Sequence, residues 1–192
     1  MNKIAHIIQQ SIQAKEAIVN NPQILQQIQL IVDALVNCFA NGGKVLFCGN
    51  GGSAADAQHL AAEFSGRFYK NRKALPAEAL HCNTSYLTAV ANDYSYDVIY
   101  ARLIEGIGLP GDVLIGMSTS GNSPNVVKAM EVAKQLNMVT IAFTGENGGK
   151  MEQFAHYLMN VPSKVTPRIQ ECHMLIGHII CELVEDALFP NQ

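Results

Sequence analysis

The sequence has no run of basic residues, and its formal net charge is −3 at pH 7. These features argue against a nucleic-acid groove or an anionic membrane surface as a direct partner. No apolar stretch approaches the roughly 20 residues that cross a bilayer, and the N-terminal segment lacks the unbroken apolar core of a signal peptide. We therefore expect a cytoplasmic protein that has neither a membrane nor a nucleic acid as its partner.

Closely spaced cysteines are also missing. The sequence has no Cys-x-x-Cys motif, and its five cysteines are an odd number spread widely along the chain. Reduced, mostly buried thiols are therefore expected rather than disulfides or a cysteine zinc site. The 192 residues are 48% hydrophobic and only 15% charged, which predicts one domain, residues 1–192, with a substantial core.

Short apolar runs alternate with helix-periodic segments along most of the chain. This alternation predicts an α/β fold, a doubly wound parallel β-sheet with helices on both faces. The predicted strands are residues 44–48, 76–80, 113–115, 138–143 and 157–161. The helices predicted to accompany them are residues 54–65, 84–91, 97–105, 124–136 and 167–188.

Two further amphipathic helices, residues 2–19 and 23–40, precede the first strand, and Ile4, Ile8 and Ile12 recur along one side of the first of them. Two such helices are more than one small sheet needs as cover. We therefore expect residues 1–42, the N-terminal helical pair, to take part in oligomer packing. The alternative, that both helices pack only on their own domain, stays open.

The chain is organised around residues 111–124, where an apolar run opens into the polar turn Ser118-Thr119-Ser120-Gly121-Asn122-Ser123. Pro124 suits the first helical position, and Ser123 suits the N-cap before it. A strand, turn and helix in this order collect hydroxyls and free backbone N–H groups at the positive end of a helix, where a phosphate binds. An ordinary helix cap is the alternative, but four hydroxyls in six residues favour an anion site.

A second turn of the same kind, Gly49-Asn50-Gly51-Gly52-Ser53, follows the first predicted strand. Ser53 is the expected N-cap of the next helix, with Asp56 placed as in a capping box. Glycines around an asparagine let the backbone approach a ligand closely, although the Gly-x-Gly-x-x-Gly dinucleotide motif is absent. Turns at the carboxyl ends of parallel strands share one crevice, so we expect both turns to border the same site.

His59 and Glu63 lie four residues apart, on one face of the predicted helix 54–65. They are either an ordinary surface pair or two members of a metal or acid–base site. The last helix adds Gln170, His173 and His178. His173 lies roughly 140° around the helix from His178, whereas Gln170 lies roughly 80° from His178 and about 12 Å along the axis. If the two helices meet, a nitrogen and oxygen donor set suited to zinc or a similar divalent ion would form. Its members would be His59, Glu63, Gln170 and His178.

Five segments form a recognisable set: Gly49-Asn50-Gly51-Gly52-Ser53-Ala54-Ala55-Asp56-Ala57-Gln58-His59, Glu63, Ala91-Asn92-Asp93, Ser118-Thr119-Ser120-Gly121-Asn122-Ser123 and Arg168-Ile169-Gln170-Glu171-x-His173. As a set they resemble the phosphoheptose isomerases of the sugar isomerase (SIS) domain superfamily. The resemblance extends over nearly the whole chain, including both N-terminal helices.

This resemblance implies an αβα sandwich and a homotetramer whose active sites are shared between adjacent subunits. It also implies an isomerase that converts sedoheptulose 7-phosphate to D-glycero-D-manno-heptose 7-phosphate, the first step of nucleotide-activated heptose biosynthesis for bacterial surface polysaccharide such as lipopolysaccharide. The family's ligands for one zinc per subunit fall on His59, Glu63, Gln170 and His178. Its phosphate-binding residues fall on Ser118, Thr119, Ser120 and Ser123, with Ser53 nearby. Further substrate contacts fall on Asn50, Gly51, Gly52, Asn92, Asp93 and Gln170.

An aldose–ketose interchange moves a proton between C1 and C2 through an ene-diol(ate). We assign the carbon-bound proton to Glu63 and the hydroxyl proton to His178, while zinc would polarise the carbonyl. A carboxylate bound tightly to zinc is a poorer base. Either Glu63 shifts between two roles, or the metal is partly structural or dispensable.

A non-catalytic SIS tetramer that binds the replication initiator protein is the main alternative. The glycine loop, the Ser/Thr loop and the Arg-Ile-Gln-Glu stretch of that family look like those of this chain. That family departs at the positions of Glu63 and His178, which this chain keeps. A sugar-phosphate sensor is a third possibility, although no DNA-binding helix pair is appended. Some isomerases carry Asp at the position of Pro167, and Cys172 is expected to be a buried core thiol.

Overall fold

The computed structural model describes residues 2–191, which fold into seven α-helices around five β-strands. The strands are β1 (Val45–Gly49), β2 (Ala77–Ala79), β3 (Val113–Met117), β4 (Val139–Thr144) and β5 (Tyr157–Asn160). The helices are α1 (Lys3–Val19), α2 (Pro22–Ala40), α3 (Gly52–Ser65), α4 (Thr84–Asp93), α5 (Ile99–Ile107), α6 (Pro124–Gln135) and α7 (Thr166–Leu188). Each predicted strand and helix is present, with its ends displaced by a few residues at most.

The sheet is fully parallel, with the strand order β2-β1-β3-β4-β5. The chain adds β2 on one side of β1 and the later strands on the other, so the winding reverses between β1 and β3. In doubly wound sheets, ligands bind beside this switch point, at the carboxyl ends of the strands. Gly49 at the end of β1 pairs with Met117 at the end of β3, so the loops that follow these strands leave the sheet side by side.

Alternate residues of each strand enter two separate cores, as the pleat of a strand requires. In β1, Val45 and Phe47 enter a core shared with α1, α2, α3 and α7, whereas Leu46 and Cys48 enter a core shared with α4, α5 and α6. The fold is therefore an αβα sandwich. This confirms the fold class that the alternation of strands and helices predicted.

The two N-terminal helices differ in how much of their apolar surface they bury. α2 packs on its own sheet layer through residues such as Ile31 and Leu35, which are fully buried. In α1, only Ala14 and Ile18 belong to the core, while Ile4, Ile8 and Ile12 are 66%, 54% and 41% exposed. The apolar stripe of α1 thus remains on the surface of the single chain.

All five cysteines are free, and all except Cys82 are buried, which confirms the prediction of reduced, mostly buried thiols. None of the helices in the part of the chain that the structure describes combines the length and apolarity of a membrane span.

Candidate active site

The loop after β1 turns at Gly51, whose φ of +55° is one that residues with a Cβ rarely adopt. This turn makes Gly51 the N-cap of α3, which begins at Gly52. The prediction that Ser53 caps the helix is therefore wrong. Because glycine lets the chain enter the helix two residues earlier, Ser53 lies within the first turn, where it is only 4% exposed.

Gly52 lies directly against Gln170 of α7. A Cβ at Gly52 would stand 2.5 Å from Gln170 Nε2, too close for any larger residue unless the glutamine moves. Two residues predicted to bind substrate, 118 positions apart in sequence, are therefore in contact at the start of α3.

The Ser/Thr turn after β3 forms the strand, turn and helix that its sequence predicts, with Ser123 at the N-cap of α6 and Pro124 at its start. Among residues 2–191 the Ser123 hydroxyl caps no helix N–H, and it lies instead 2.9 Å from Ser118 Oγ. Ser120 Oγ accepts the Asn122 N–H at 3.2 Å and lies 3.4 Å from Ser118 Oγ. Clustered hydroxyls beside a helix N-terminus are suited to binding a phosphate.

A cavity of about 220 Å³ adjoins this turn, and Thr119 and Ser120 line it together with Lys164. A larger cavity, about 530 Å³, lies beside β2 and is lined by none of the predicted site residues. Size alone would favour the larger cavity. The smaller one has the more polar lining, which also includes the Glu146 carboxylate, 3.4 Å from Lys164 Nζ.

Asn125, in the first turn of α6, was missed by the sequence analysis. Its side-chain nitrogen donates to Asn50 Oδ1 at 2.8 Å, and the Asn50 nitrogen donates back to Asn125 Oδ1 at 2.8 Å. Tyr96 Oη also donates to Asn50 Oδ1, at 3.1 Å. Burial raises the pKa of the Tyr100 hydroxyl, which donates to the Gly49 carbonyl. These contacts fix the loop after β1 against α6 and against the segment that precedes α5.

Asn92 and Asp93 are the last two residues of α4, which extends beyond the predicted end at Ala91. Both are exposed, and Asn92 Nδ2 donates to Asp93 Oδ1 at 2.9 Å. Tyr96, three residues further on, provides the contact between this segment and Asn50. The described contacts thus link Asn92 and Asp93 to the glycine loop only through the chain that follows them.

His59, Glu63 and His178 lie together, and one donor atom from each is within 4.8 Å of the other two. His59 Nε2 is 3.0 Å from Glu63 Oε1, and the His59 and His178 rings meet edge to face with their centroids 5.1 Å apart. The close packing of α3 on α7 explains this arrangement. A Cβ at Gly177 would stand 2.5 Å from Leu60 Cδ2, so the glycine beside His178 lets the two helices approach. We call these three residues the His59–Glu63–His178 group.

The His59–Glu63–His178 group lies far from the two loops along its own helices. Glu63 is 11 residues beyond Gly52, which is about 16 Å of helix. Gln170 contacts Gly52 and lies about 12 Å along α7 from His178. The structure therefore brings three of the four predicted metal ligands together and places Gln170 with the glycine loop.

Two imidazoles and one carboxylate are the ligand types that zinc prefers. The side chains of His59 and Glu63 are 50% and 24% exposed, so the group is open to solvent. Asp56 lies one turn before His59, and burial raises the pKa of its carboxyl, although the charge of His59 partly offsets this. The group fits a divalent metal by its donor chemistry.

The other residues singled out on α7 have structural positions. His173 is fully buried, and its Nε2–H donates to the Thr144 carbonyl at 3.1 Å. Burial lowers its pKa to about 4, although the hydrogen bond to Thr144 raises it slightly. Cys172 is buried, as predicted, and Pro167 lies in the first turn of the helix.

Comparison with known proteins gives concordant results. The SIS domain profile matches residues 2–145. A phosphoheptose isomerase from Clostridium acetobutylicum is 52% identical over 191 residues, covering 100% of this chain and 97% of that protein. A phosphoheptose isomerase from Aneurinibacillus thermoaerophilus is 50% identical, and the alignment covers 96% of this chain and 93% of that protein. The solved structure of phosphoheptose isomerase from Neisseria gonorrhoeae matches with a TM-score of 0.90 at 41% identity, over 96% of this chain and 97% of that one.

Proposed function

This chain belongs to the phosphoheptose isomerases of the SIS domain family, and we propose that it converts sedoheptulose 7-phosphate to D-glycero-D-manno-heptose 7-phosphate. The observation that carries this proposal is the meeting of Glu63 and His178 in one group, although they come from helices far apart in sequence. The product would supply nucleotide-activated heptose for bacterial surface polysaccharide. Five free thiols support a reducing, cytoplasmic location.

The phosphate end of the substrate is assigned to the Ser/Thr turn, with Ser53 beside it. Hydroxyl donors and the positive N-terminus of α6 would hold the dianion there. Phosphate binding far from the reacting carbons would supply energy for positioning the sugar. The residues given this role are Ser118, Thr119, Ser120, Ser123 and Ser53. Further contacts to the sugar are assigned to Asn50, Gly51, Gly52, Asn92, Asp93 and Gln170.

The proton transfers are assigned to Glu63 and His178. Glu63 takes a proton from C1 of the ketose and returns it to C2 of the aldose through an ene-diol(ate). His178 moves a proton from the C1 hydroxyl to the oxygen at C2. Both residues end in the protonation state in which they began, so the enzyme is ready for another turnover.

We assign one zinc ion per subunit to the His59–Glu63–His178 group, with Gln170 as the proposed fourth ligand. Bound zinc supplies Lewis-acid polarisation of the carbonyl oxygen. Gln170 is the least supported member, because its amide contacts Gly52 at the other end of the helix pair. Glu63 would need to leave the metal, or bind it weakly, in order to act as a base.

We further propose a homotetramer in which each active site takes residues from adjacent subunits. Two observations support this. Glu63 lies about 16 Å along α3 from the glycine loop, further than one sugar phosphate reaches. The exposed stripe of Ile4, Ile8 and Ile12 on α1 would be covered by another subunit of the same chain. Residues 1–192 would then form a single SIS domain whose first 42 residues include the contact surface.

The alternative, a non-catalytic tetramer that binds the replication initiator protein, is not favoured. A protein with only a scaffolding role has no need for an acid–base group. The relatives at about half identity over nearly the full length are phosphoheptose isomerases.

The decisive experiment is incubation of the protein with sedoheptulose 7-phosphate, followed by NMR with and without added zinc. We expect the anomeric signals of the aldose product to appear. The matched control is the Glu63→Gln, His178→Gln double variant, which should bind inorganic phosphate and form no aldose. Absence of product from the wild-type protein, with phosphate binding intact, would contradict the proposal.

A further inference from the structure

A buried ion pair joins Arg72 to Glu185 at the end of α3 that carries Glu63. Arg72 Nε donates to Glu185 Oε1 at 2.8 Å, and the two side chains are only 1% and 2% exposed. Glu185 lies on α7, seven residues after His178, so both occupy nearly the same face of that helix. Removing two charges from water is costly, so a pair buried this completely needs further hydrogen bonds to compensate.

Arg72 is bound to the end of α3 that carries Glu63. Its Nη2 donates to the Glu63 carbonyl at 2.9 Å, and its Nη1 donates to the Phe64 carbonyl at 2.7 Å. These are carbonyls of the last helical turn, which lack partners within the helix. A cation is also favourable at a helix C-terminus. Arg72 therefore fixes the backbone from which the Glu63 side chain projects.

Glu185 holds the segment that follows α3. Its carboxylate accepts backbone N–H groups from Phe68 at 3.1 Å, Tyr69 at 2.7 Å and Lys70 at 2.9 Å. The Phe68 ring packs against His178, with the ring centroids 5.8 Å apart. Glu185 therefore fixes the residue that packs on the second proposed acid–base group.

We propose that Arg72 and Glu185 are positioning residues, which set the distance and orientation between Glu63 and His178 through the backbone at Glu63 and the ring of Phe68. This inference rests on the proposed function, since it concerns the residues that transfer the protons. Neither residue touches the substrate. A displacement of about 1 Å at a reacting group costs on the order of 100-fold in rate, so the pair has a large effect on turnover.

A double variant separates this role from simple stabilisation. Arg72→Met with Glu185→Leu replaces the pair by apolar side chains of similar volume and leaves no unpaired buried charge. The backbone groups that the pair binds lose their partners, so we expect a lower midpoint of denaturation. In the folded variant, assayed well below that midpoint, we expect a kcat lower by on the order of 100-fold. KM should change by less than about threefold, because neither residue touches the substrate and the glycine loop lies about 16 Å from Glu63 along α3. Full kcat in this folded variant would overturn the proposal.

Arg72→Lys decides the question if the double variant fails to fold. Lysine keeps the positive charge opposite Glu185 but cannot bridge two carbonyls and a carboxylate in one plane. We expect it to lower kcat without a matching change in KM, and wild-type kcat in the folded protein would overturn the proposal. The matched control is Asp186→Asn, which removes the neighbouring exposed ion pair with Lys70 and should leave kcat unchanged.

Zinc affinity, measured by competition with a chelator, tests the pair independently of turnover. Loss of outer partners typically costs about 10- to 100-fold in metal affinity, and we expect this range for Arg72→Lys. If the wild-type protein binds zinc but shows no isomerase activity, the proposed function fails and this affinity alone decides the role of the pair. If Arg72→Lys then binds zinc as tightly as the wild type does, the inference is overturned. A wild-type protein that neither binds zinc nor isomerises the sugar phosphate would also overturn it.

Discussion

Asn50 and Asn125 exchange two hydrogen bonds, each side-chain nitrogen donating to the oxygen of the other residue at 2.8 Å. Asn50 belongs to the glycine loop after β1, whereas Asn125 lies in the first turn of α6 and is only 1% exposed. The contact crosses the switch point of the sheet between β1 and β3. It therefore joins the two loops that bear most of the proposed substrate contacts.

We predict that Asn125→Ala raises KM for the sugar phosphate by about 10-fold, because the half-buried Asn50 amide loses both of its hydrogen bonds to Asn125 and the glycine loop moves away from the Ser/Thr turn. The change in kcat should be smaller, since Glu63 and His178 lie elsewhere. Steady-state kinetics measures both quantities. Gln135→Ala, at an exposed position at the other end of α6, serves as the control. Equal KM values for the two variants would show that the amide pair has no part in binding.

The fold was predictable because its signals are local and repeated. A run such as Val113, Leu114 and Ile115 is buried on both sides in a parallel sheet, so it is continuously apolar. The ends of the helices followed from their apolar periodicity and from the glycines and prolines that interrupt it. The cap at Ser53 failed because glycine at positive φ competes with a serine cap, and the sequence Gly51-Gly52-Ser53 permits either.

The site was predictable only in part, because it depends on which helices meet. The spacing of His59 and Glu63 places both on one face of a helix, but says nothing of α7. The close approach that brings in His178 depends on Gly177, a helical glycine that could have served as a signal of tight packing. Asn125 gave a weaker signal, a poor helix former just after the start of a helix.

We predict that Glu63→Gln lowers kcat by at least 100-fold, because the amide cannot accept the carbon-bound proton, a transfer whose catalysis is worth about 10²- to 10⁴-fold. KM and the affinity for inorganic phosphate should stay close to the wild-type values. Stopped assays for the aldose product and phosphate titration measure these effects. Glu16→Gln, an exposed change on α1, is the control. Near-normal turnover by Glu63→Gln would remove this residue from its assigned role.

For the metal, we predict that His59→Gln and His178→Gln each lower zinc affinity by at least about 10-fold, because each removes one imidazole from a set with few ligands. Chelator competition followed by metal analysis gives the affinity directly. His6→Gln, at an exposed histidine of α1, should bind zinc as the wild type does. If Gln170→Ala weakens zinc binding as much as these variants, the fourth ligand is supported; if it changes only KM, Gln170 contacts the sugar alone.

Stability should depend on pH through His173. Burial lowers its folded pKa to about 4, while an imidazole in the unfolded chain titrates near about 6.5. Between these values the unfolded state binds the additional proton, so the free energy of unfolding falls as the pH falls, by about 1.4 kcal/mol per pH unit, and is unaffected by this group above that window.

The test is urea denaturation at several pH values across that window. His173→Gln retains a donor for the Thr144 carbonyl but does not titrate, so its stability should decline less steeply with falling pH. The exposed His6→Gln should retain the wild-type slope. Identical slopes for the wild type and His173→Gln would mean that the folded imidazole accepts a proton without cost.

Shared active sites make a prediction about mixed oligomers. Glu63→Gln subunits lack the proton acceptor, and a variant with Ser118→Ala, Thr119→Ala and Ser120→Ala lacks the phosphate turn, so each is expected to be inactive alone. If a site takes the turn from one subunit and Glu63 from another, co-refolded mixtures contain some sites in which both contributors are intact. Activity should therefore return on mixing.

The apolar stripe of α1 supplies the control for this experiment. Ile8 is 54% exposed in the single chain, and Ile8→Lys would place a charge in the proposed contact between subunits. We expect Ile8→Lys to reduce the mass measured by sedimentation and to abolish the recovery of activity on mixing, whereas Gln9→Lys, at the neighbouring exposed position, should do neither. No recovery in an intact tetramer would mean that each chain completes its own site, and that Glu63 reaches the substrate by a rearrangement of α3.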